Sequence, residues 1–401
     1  MTEEASSPDH RRPVYSLRQM TGYAMKLGTI GFGGPVALVG YMHRDLVVER
    51  QWLSEDDYDQ GLALAQIAPG PLAAQLAIYL GYCHYGVLGA SLVGTAFVLP
   101  SFMMVVAFSV LYVAAGGSPL LQAVFYTVGA AIIGIIARSA EKLTRRTIGS
   151  DRLLWGIWAV MAVSTFVTER ESVILVLLAG VVAWLVKAPP AWLSRMTSGG
   201  GLTALLPLAA ISPAGASAAA TAGSAASGAV LVDIALFFGQ AGAFVFGSGL
   251  AIVPFLFGGV VEEQRWLTEQ EFLDAVAVAL ITPGPVVITT AFIGYLVAGF
   301  PGAIVAALAT FLPCYLLTVI PAPFMRRYGK LRSITAVVEG VTAAAIGAIA
   351  GAVLVFGRRS IVDLTTAAVA LGTYLLLRRT ALPEPLVVLA AAGLGLLFYV
   401  L

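Results

Sequence analysis

The chain carries one module twice. Residues Trp52 to Pro71 read WLSEDDYDQGLALAQIAPGP, and Trp266 to Pro285 read WLTEQEFLDAVAVALITPGP. The tryptophans and the first prolines both lie 214 residues apart (266 − 52 and 283 − 69), so no gap intervenes. The match runs back to Phe32-Gly33-Gly34 against Phe246-Gly247-Ser248. With one residue of slip it runs forward to Gly81-Tyr82 against Gly294-Tyr295, and to Leu99-Pro100 against Leu312-Pro313. Any fold for this chain must therefore build two similar bodies and join them.

The bodies belong in a membrane. The sequence is 59% hydrophobic and 11% charged, against about 25% charged for a soluble domain. Several apolar runs are long enough to span about 30 Å of hydrocarbon. A duplicated half in such a chain is the usual sign of a secondary transporter, with its site where the two copies of a broken segment meet. Cys83 and Cys314 each lie in or beside apolar sequence, which reads as neither a disulfide nor a metal site. No cofactor motif, zinc spacing or nucleotide fingerprint is present, which argues against an enzyme or an ATP-driven pump.

The organisation reads as a short cytoplasmic tail (1–13), a first repeat (14–187), an Ala/Gly/Ser-rich linker (188–228) and a second repeat (229–401). The predicted fold class is an all-α polytopic membrane protein with broken helices and Pro-Gly-Pro helical hairpins. Helices are predicted over 16–31, 35–50, 55–67, 71–82, 86–113, 119–140, 153–167 and 172–187. The second set is 230–246, 249–263, 268–281, 285–298, 301–321, 333–357, 361–377 and 384–400. The segment 114–122 has no charge, whereas its counterpart carries Arg326, Arg327, Lys330 and Arg332. Positive loops stay cytoplasmic, so matching loops fall on opposite sides and the halves read as inverted repeats.

Three segments carry chemistry. The first is the glycine break Gly31-Phe32-Gly33-Gly34-Pro35, mirrored by Phe246-Gly247-Ser248-Gly249. Glycine and proline interrupt a helix there, and unpaired backbone at membrane depth is tolerated only where it is buried or lines a cavity. The next helix begins with free N–H groups that favour an anion. The competing reading is close helix packing through small residues. The second segment is Pro69-Gly70-Pro71 and its copy Pro283-Gly284-Pro285. Ser54 or Thr268 caps the preceding helix, with Asp57 or Glu271 closing a capping box. The helix must end before the first proline, and a new one can begin at the second. Gln66 and Gln75 flank one tip, and Thr282, Thr289 and Thr290 the other. A plain surface loop is the alternative.

The third segment is the polar run between them. It holds Arg44, Glu49 and Arg50 in the first copy, and Glu263 and Arg265 in the second. It reads either as an interfacial loop anchored by tryptophan or as an arginine–carboxylate gate coupled to protons. Lys26, replaced by Gln240 in the second copy, is a lone cation one turn before the first break. Asp233, Glu339 and Asp363 lie near helix ends, where a structural role is the stronger reading.

On these residues the chain resembles the chromate ion transporter family, in its long, two-domain form. The resemblance rests on Gly31-Phe32-Gly33-Gly34-Pro35, Trp52-Leu53 and Ala68-Pro69-Gly70-Pro71 in their order and spacing, and covers nearly the whole chain. It implies efflux of chromate across the cytoplasmic (inner) membrane, driven by the proton motive force, with protons and the lipid bilayer as further partners. The second copy departs from the pattern at Ser248 and lacks the following proline. Chromate is a tetrahedral dianion close to sulfate in shape, so sulfate is the expected competitor. Lys26, Arg50, both breaks and both tips are the residues expected to bind it. A general oxyanion carrier and a passive anion channel remain the alternatives, and the chain reads as a monomer or homodimer.

Overall fold

The computed structural model describes residues 14–32, 34–116, 119–168, 173–189, 226–244, 252–324, 332–361, 363–380 and 382–400. The predicted tail, most of the linker and the second glycine break (Gly247, Ser248, Gly249) lie outside them, as does Gly33. In the first half the helices are α1 (Leu17–Ile30), α2 (Gly34–Met42), α3 (Glu55–Ile67), α4 (Leu72–Ala114), α5 (Pro119–Thr147), α6 (Arg152–Thr168) and α7 (Val173–Lys187). The second half repeats the order as α8 (Ala226–Phe244), α9 (Ile252–Phe257), α10 (Glu269–Ile281), α11 (Thr289–Val319), α12 (Arg332–Ser360), α13 (Leu364–Arg379) and α14 (Glu384–Val400). The protein is all-helical and crosses the membrane several times. Among the described residues, four helical stretches are long and apolar enough to span.

The repeat is kept in local backbone detail. A π-helical turn follows α2 at His43–Glu49 and α9 at Gly258–Glu263. This corrects the single helix expected over 35–50. Gln51 and Arg265 both hold a positive φ of 52°. They are 214 residues apart, so it is Gln51 and not Arg50 that is the counterpart of Arg265. The helix starts follow the predicted chemistry with one difference. Thr268 and Glu271 form a full reciprocal capping box, whereas Ser54 caps Asp57 N–H at 3.1 Å without the reciprocal bond. Helix α3 ends at Ile67 and α10 at Ile281, before their prolines. Pro71 is the N-cap of α4 and not its first helical residue. A short 3₁₀ turn, Val286–Ile288, intervenes after Pro285.

Helix α4 doubles back on itself. A straight helix of its length would run about 65 Å, twice the hydrocarbon thickness. Gly86 breaks it at φ 58°, ψ −147°, a conformation for which glycine is suited. Across the bend, a Cβ on Gly81 would meet the Gly89 carbonyl at 2.6 Å, and one on Gly94 would meet Ile78 at 2.7 Å. These approaches require two antiparallel arms with glycines at their contact. In α11 the bend falls at Ala298–Gly299, with Gly294 against Gly302. The separate helices predicted over 71–82 and 86–113, and over 285–298 and 301–321, are these arms.

The halves exchange their last helices. Helix α5 packs on α13 and α14, while α12 packs on α6 and α7. The exchange is reciprocal residue by residue. Gly134 of α5 lies against Ala370 and Thr373 of α13, and Gly347 of α12 lies against Trp158 and Met161 of α6. Thr127 of α5 donates to Ala391 O of α14 at 2.7 Å, and Gly340 of α12 meets Ala179 of α7. Between the halves, the arms of α4 and α11 after their bends run antiparallel. Ser91, near the bend of its arm, hydrogen bonds Tyr315, near the far end of the other, at 2.7 Å. Both arms line an apolar cavity of about 380 Å³. Equivalent helices run antiparallel when their two-fold axis crosses them, which is the inverted arrangement.

At the rim of this exchange, Lys187 bridges Asp151 and Glu339, each at 2.5 Å. It ties the end of α7 to α12 and to the loop before α6. The hydrogen bond from Lys187 holds the Asp151 carboxyl below the ordinary aspartate range. A depressed carboxylate stabilises the fold above its unfolded value and loses that contribution as pH falls through its folded value. With both partners part-exposed, about 1 kcal/mol is at stake. Lys187→Met is therefore expected to melt a few degrees below wild type at neutral pH. The two melting curves should converge in strong acid. A gap independent of pH would remove Asp151 from this role.

Candidate functional site

The first glycine break opens where α1 ends. Gly31 caps α1, its N–H donating to Leu27 O at 2.7 Å. Gly34, at φ 73°, begins α2. The Gly31 carbonyl does not turn to its own half. It accepts from the N–H of Gly284 at 3.1 Å, so the second Pro-Gly-Pro tip docks on the first break. Ser101 of α4 holds the same tip, its hydroxyl 2.7 Å from Pro283 O and 3.3 Å from Gly28 O. Gly28 allows α1 to lie directly on the Phe97 carbonyl of α4. Thr282 closes the end of α10 by donating to Val278 O at 2.7 Å.

The other tip makes the related contact with a different donor. A Cβ on Gly70 would lie 3.0 Å from Sγ of Cys314 on α11, the residue that matches Ser101. Here the tip carbonyls are satisfied from within the half. Gln75 Nε2 donates to Pro69 O at 2.8 Å and to Ala68 O at 3.2 Å. Gln75 Oε1 is buried without a partner among the described residues.

Between the first break and the second tip is a crevice lined by Gly31, Phe32, Gly34, Thr282, Gly284 and Glu384. Its volume is about 10 Å³, room for one water and closed to a tetrahedral oxyanion. The N-terminal residues of two helices, α2 and α14, line it, an arrangement that favours negative charge. Glu384, the first residue of α14, brings a carboxylate to this point and hydrogen bonds Ser139. Sequence reasoning placed Glu384 at the start of the helix predicted over 384–400 and gave it no role in the site.

The structure does not bring the sequence-predicted cations into this crevice. Lys26 is exposed on α1. Arg50 is exposed and stacks over Trp52 (4.7 Å) and Tyr23 (5.2 Å). Trp52 in turn stacks on Tyr15 at 5.0 Å, so it anchors its own half. Arg44 pairs with Asp45 at 2.7 Å and with Glu49 at 3.4 Å on the π-helical turn. Gln66, Glu263 and Arg265 are exposed, as is Gln240, which lies on α8 at the repeat position equivalent to Lys26. Thr289 and Thr290 are buried and turn their hydroxyls to Val286 O and Val287 O. Of the three carboxylates read as helix-end residues, Glu339 pairs with Lys187 and Asp363 caps α13.

The family model for "Chromate transporter" matches residues 18–185 and again 232–396. The chain belongs to the chromate transporter family. It is 58% identical over 396 residues to a chromate transport protein of Cupriavidus metallidurans, covering 98% of this chain and 96% of that one. A probable chromate transport protein of Synechococcus elongatus is 58% identical over 402 residues, covering 99% of each. A chromate transport protein of Pseudomonas aeruginosa is 31% identical over 350 residues, covering 84% of this chain and 80% of the relative. No solved structure matches. As a member of a transporter family the chain is not an enzyme, and each family match covers one of the two exchanged halves.

Proposed function

We propose that this protein exports chromate across the cytoplasmic membrane by alternating access, with the anion bound where the first glycine break meets the second Pro-Gly-Pro tip. The reading rests above all on the 58% identity, over nearly the whole length, to a protein described as a chromate transport protein. The crevice geometry supports its location. The N-terminus of α2 at Gly34, and the Gly284 N–H once it is released from Gly31 O, offer N–H groups to an oxyanion when the crevice opens. Opening must separate Gly284 from Gly31, that is, one half from the other. An expelled dianion is helped outward by an inside-negative potential, about 2.3 kcal/mol per charge per 100 mV. Proton antiport adds to this drive.

The test is uptake of radiolabelled chromate into inside-out vesicles holding only this protein, with an imposed proton gradient and unlabelled sulfate as competitor. Saturable, gradient-dependent uptake that excess sulfate lowers only in part is the expected result. Uptake erased by sulfate would make the protein a general oxyanion carrier, and fast, uncoupled flux would make it a channel. Lys26→Ala and Arg50→Ala in the same vesicles test the two cations. Both are expected to lower uptake by slowing capture of the anion at the surface, not by emptying the crevice, so added salt should mask the defect.

A further inference from the structure

Asp274 is a buried acid that the anion path does not use. It lies in α10 at 3% exposure, between the halves. Tyr112 of α4 donates its hydroxyl to Oδ2 at 2.8 Å, and Gln270 donates Nε2 to Oδ1 at 2.8 Å. Both donors are neutral. Among the described residues no Lys or Arg pairs with Asp274. The titratable groups that act on it are Tyr112 from α4 and Glu271 from its own helix. Helix α5 presents Gly129 beside Gln270 and Leu273. Phe257 of α9, Phe292 of α11 and Phe356 of α12 form its aromatic surroundings through Tyr112 and Phe272. Glu384 of α14 stands at the other end of α10, by Leu280. An ionised carboxylate here has hydrogen bonds but no cation to offset its lost hydration.

The duplication supplies a control. The residue 214 positions earlier is Gln60, and the residue that matches Tyr112 is Met325. One copy of this helix position is therefore filled by a neutral amide, and the other keeps an acid with a dedicated hydroxyl donor. Packing alone does not require the acid.

Position gives the acid leverage. Helix α4 grips α10 at two points: Tyr112 holds Asp274, and Ser101 holds Pro283 at the tip that closes the crevice. The points are nine residues apart (283 − 274), about 14 Å at helical rise. A proton added to a carboxylate oxygen of Asp274 forms an O–H bond and removes one negative charge. That weakens the charge-assisted bond from Tyr112. One grip then loosens on the helix that carries the tip.

We propose that Asp274 is the proton-carrying group of this transporter, taking up and releasing the coupled proton at the α4–α10 contact and thereby biasing the tip between docked and undocked. The proposal rests on the reading of the crevice as the anion site. The full chain is reconstituted in liposomes containing a pH dye, as wild type, Asp274→Asn, Asp274→Glu and Tyr112→Phe. Three quantities are read: chromate-for-chromate exchange without a gradient, chromate-driven proton movement, and the infrared band of protonated carboxyl across pH. Asp274→Asn is expected to keep exchange, to lose one carboxyl band, and to lower proton movement by on the order of tenfold or more. Asp274→Glu should restore proton movement, and Tyr112→Phe should shift the pH at which the band appears. Proton movement at the wild-type rate in Asp274→Asn, or an unchanged infrared band, overturns the proposal. If the wild type exchanges no chromate, the anion reading fails instead, and the infrared band alone decides whether Asp274 takes a proton.

Discussion

Gly284→Ala is expected to eliminate transport while leaving most of the protein in the membrane. Gly284 holds φ 101°, a conformation that an L side chain adopts only under strain, at a cost of roughly 1–3 kcal/mol. Its Cβ would also fall on the Ser101 hydroxyl, inside van der Waals contact. Ser101 cannot simply turn away, because it is buried and its hydroxyl satisfies Pro283 O. Overpacking of this kind adds about 1–3 kcal/mol. The relief open to the structure is to lift the tip from the break, which breaks the Gly284 N–H to Gly31 O bond and holds the halves apart at the crevice. Vesicle uptake per milligram of protein, with a melting curve beside it, is the measurement. Ser101→Gly in the same chain removes the clashing hydroxyl and should recover part of the loss, a coupling that only neighbouring residues show. Gly70→Ala is the control. Its φ is 143°, and its Cβ would meet Gln75 at 2.8 Å and Cys314 Sγ at 3.0 Å, approaches less severe than the one to the Ser101 hydroxyl, so a smaller defect is expected. Normal uptake by Gly284→Ala would remove the docked tip from the transport cycle.

Much of the fold was legible because its signals are local. Proline ends a helix wherever it stands, so the limits of α3 and α10 followed from Pro69 and Pro283. Caps at Ser54 and Thr268 followed from side-chain chemistry three residues long. Even the bends at Gly86 and Gly299 appeared, as gaps between separate predicted helices. What a repeat cannot reveal is which copy a segment meets. The 214-residue offset makes Gly70 equivalent to Gly284, but it is silent on whether a tip docks at home or across the interface. The structure sends Gly284 to Gly31 and exchanges α6 and α7 for α13 and α14. The π-helical turns were also invisible, since the extra residue in the turn has no composition of its own. The candidate site was legible in half. The break and the tip were named, whereas Lys26 and Arg50 were chosen for charge and stand outside the crevice. Asp274 was passed over because the FLDAVAVAL run was matched for its helix start, although an acid in an apolar run opposite Gln60 was a readable signal.

The exchange of helices carries the last expected result. A chain cut within the small-residue stretch between Ala214 and Ala229 should still assemble and transport when both fragments are made in one membrane. Each fragment alone should be degraded or aggregate. The first fragment would leave α6 and α7 without α12, and would expose the backbone against which Gly340, Gly347 and Gly351 now pack. In lipid there is little hydrophobic drive to hide such a face. Its stability comes from close backbone approach and interhelical hydrogen bonds, which exist only with the partner present. The second fragment would lose the Thr127 bond to Ala391 and the seat of α13 on Gly134. Cutting the linker forfeits an effective concentration in the mM range, so assembly should depend on co-expression and rise with the level of the scarcer fragment. Co-purification through a tag on one fragment, followed by chromate uptake, reads the result. Two fragments that are each stable alone and ignore one another would mean that the halves are self-sufficient bodies. In that case the contacts of α5 with α13 and of α12 with α6 would not be what holds the transporter together.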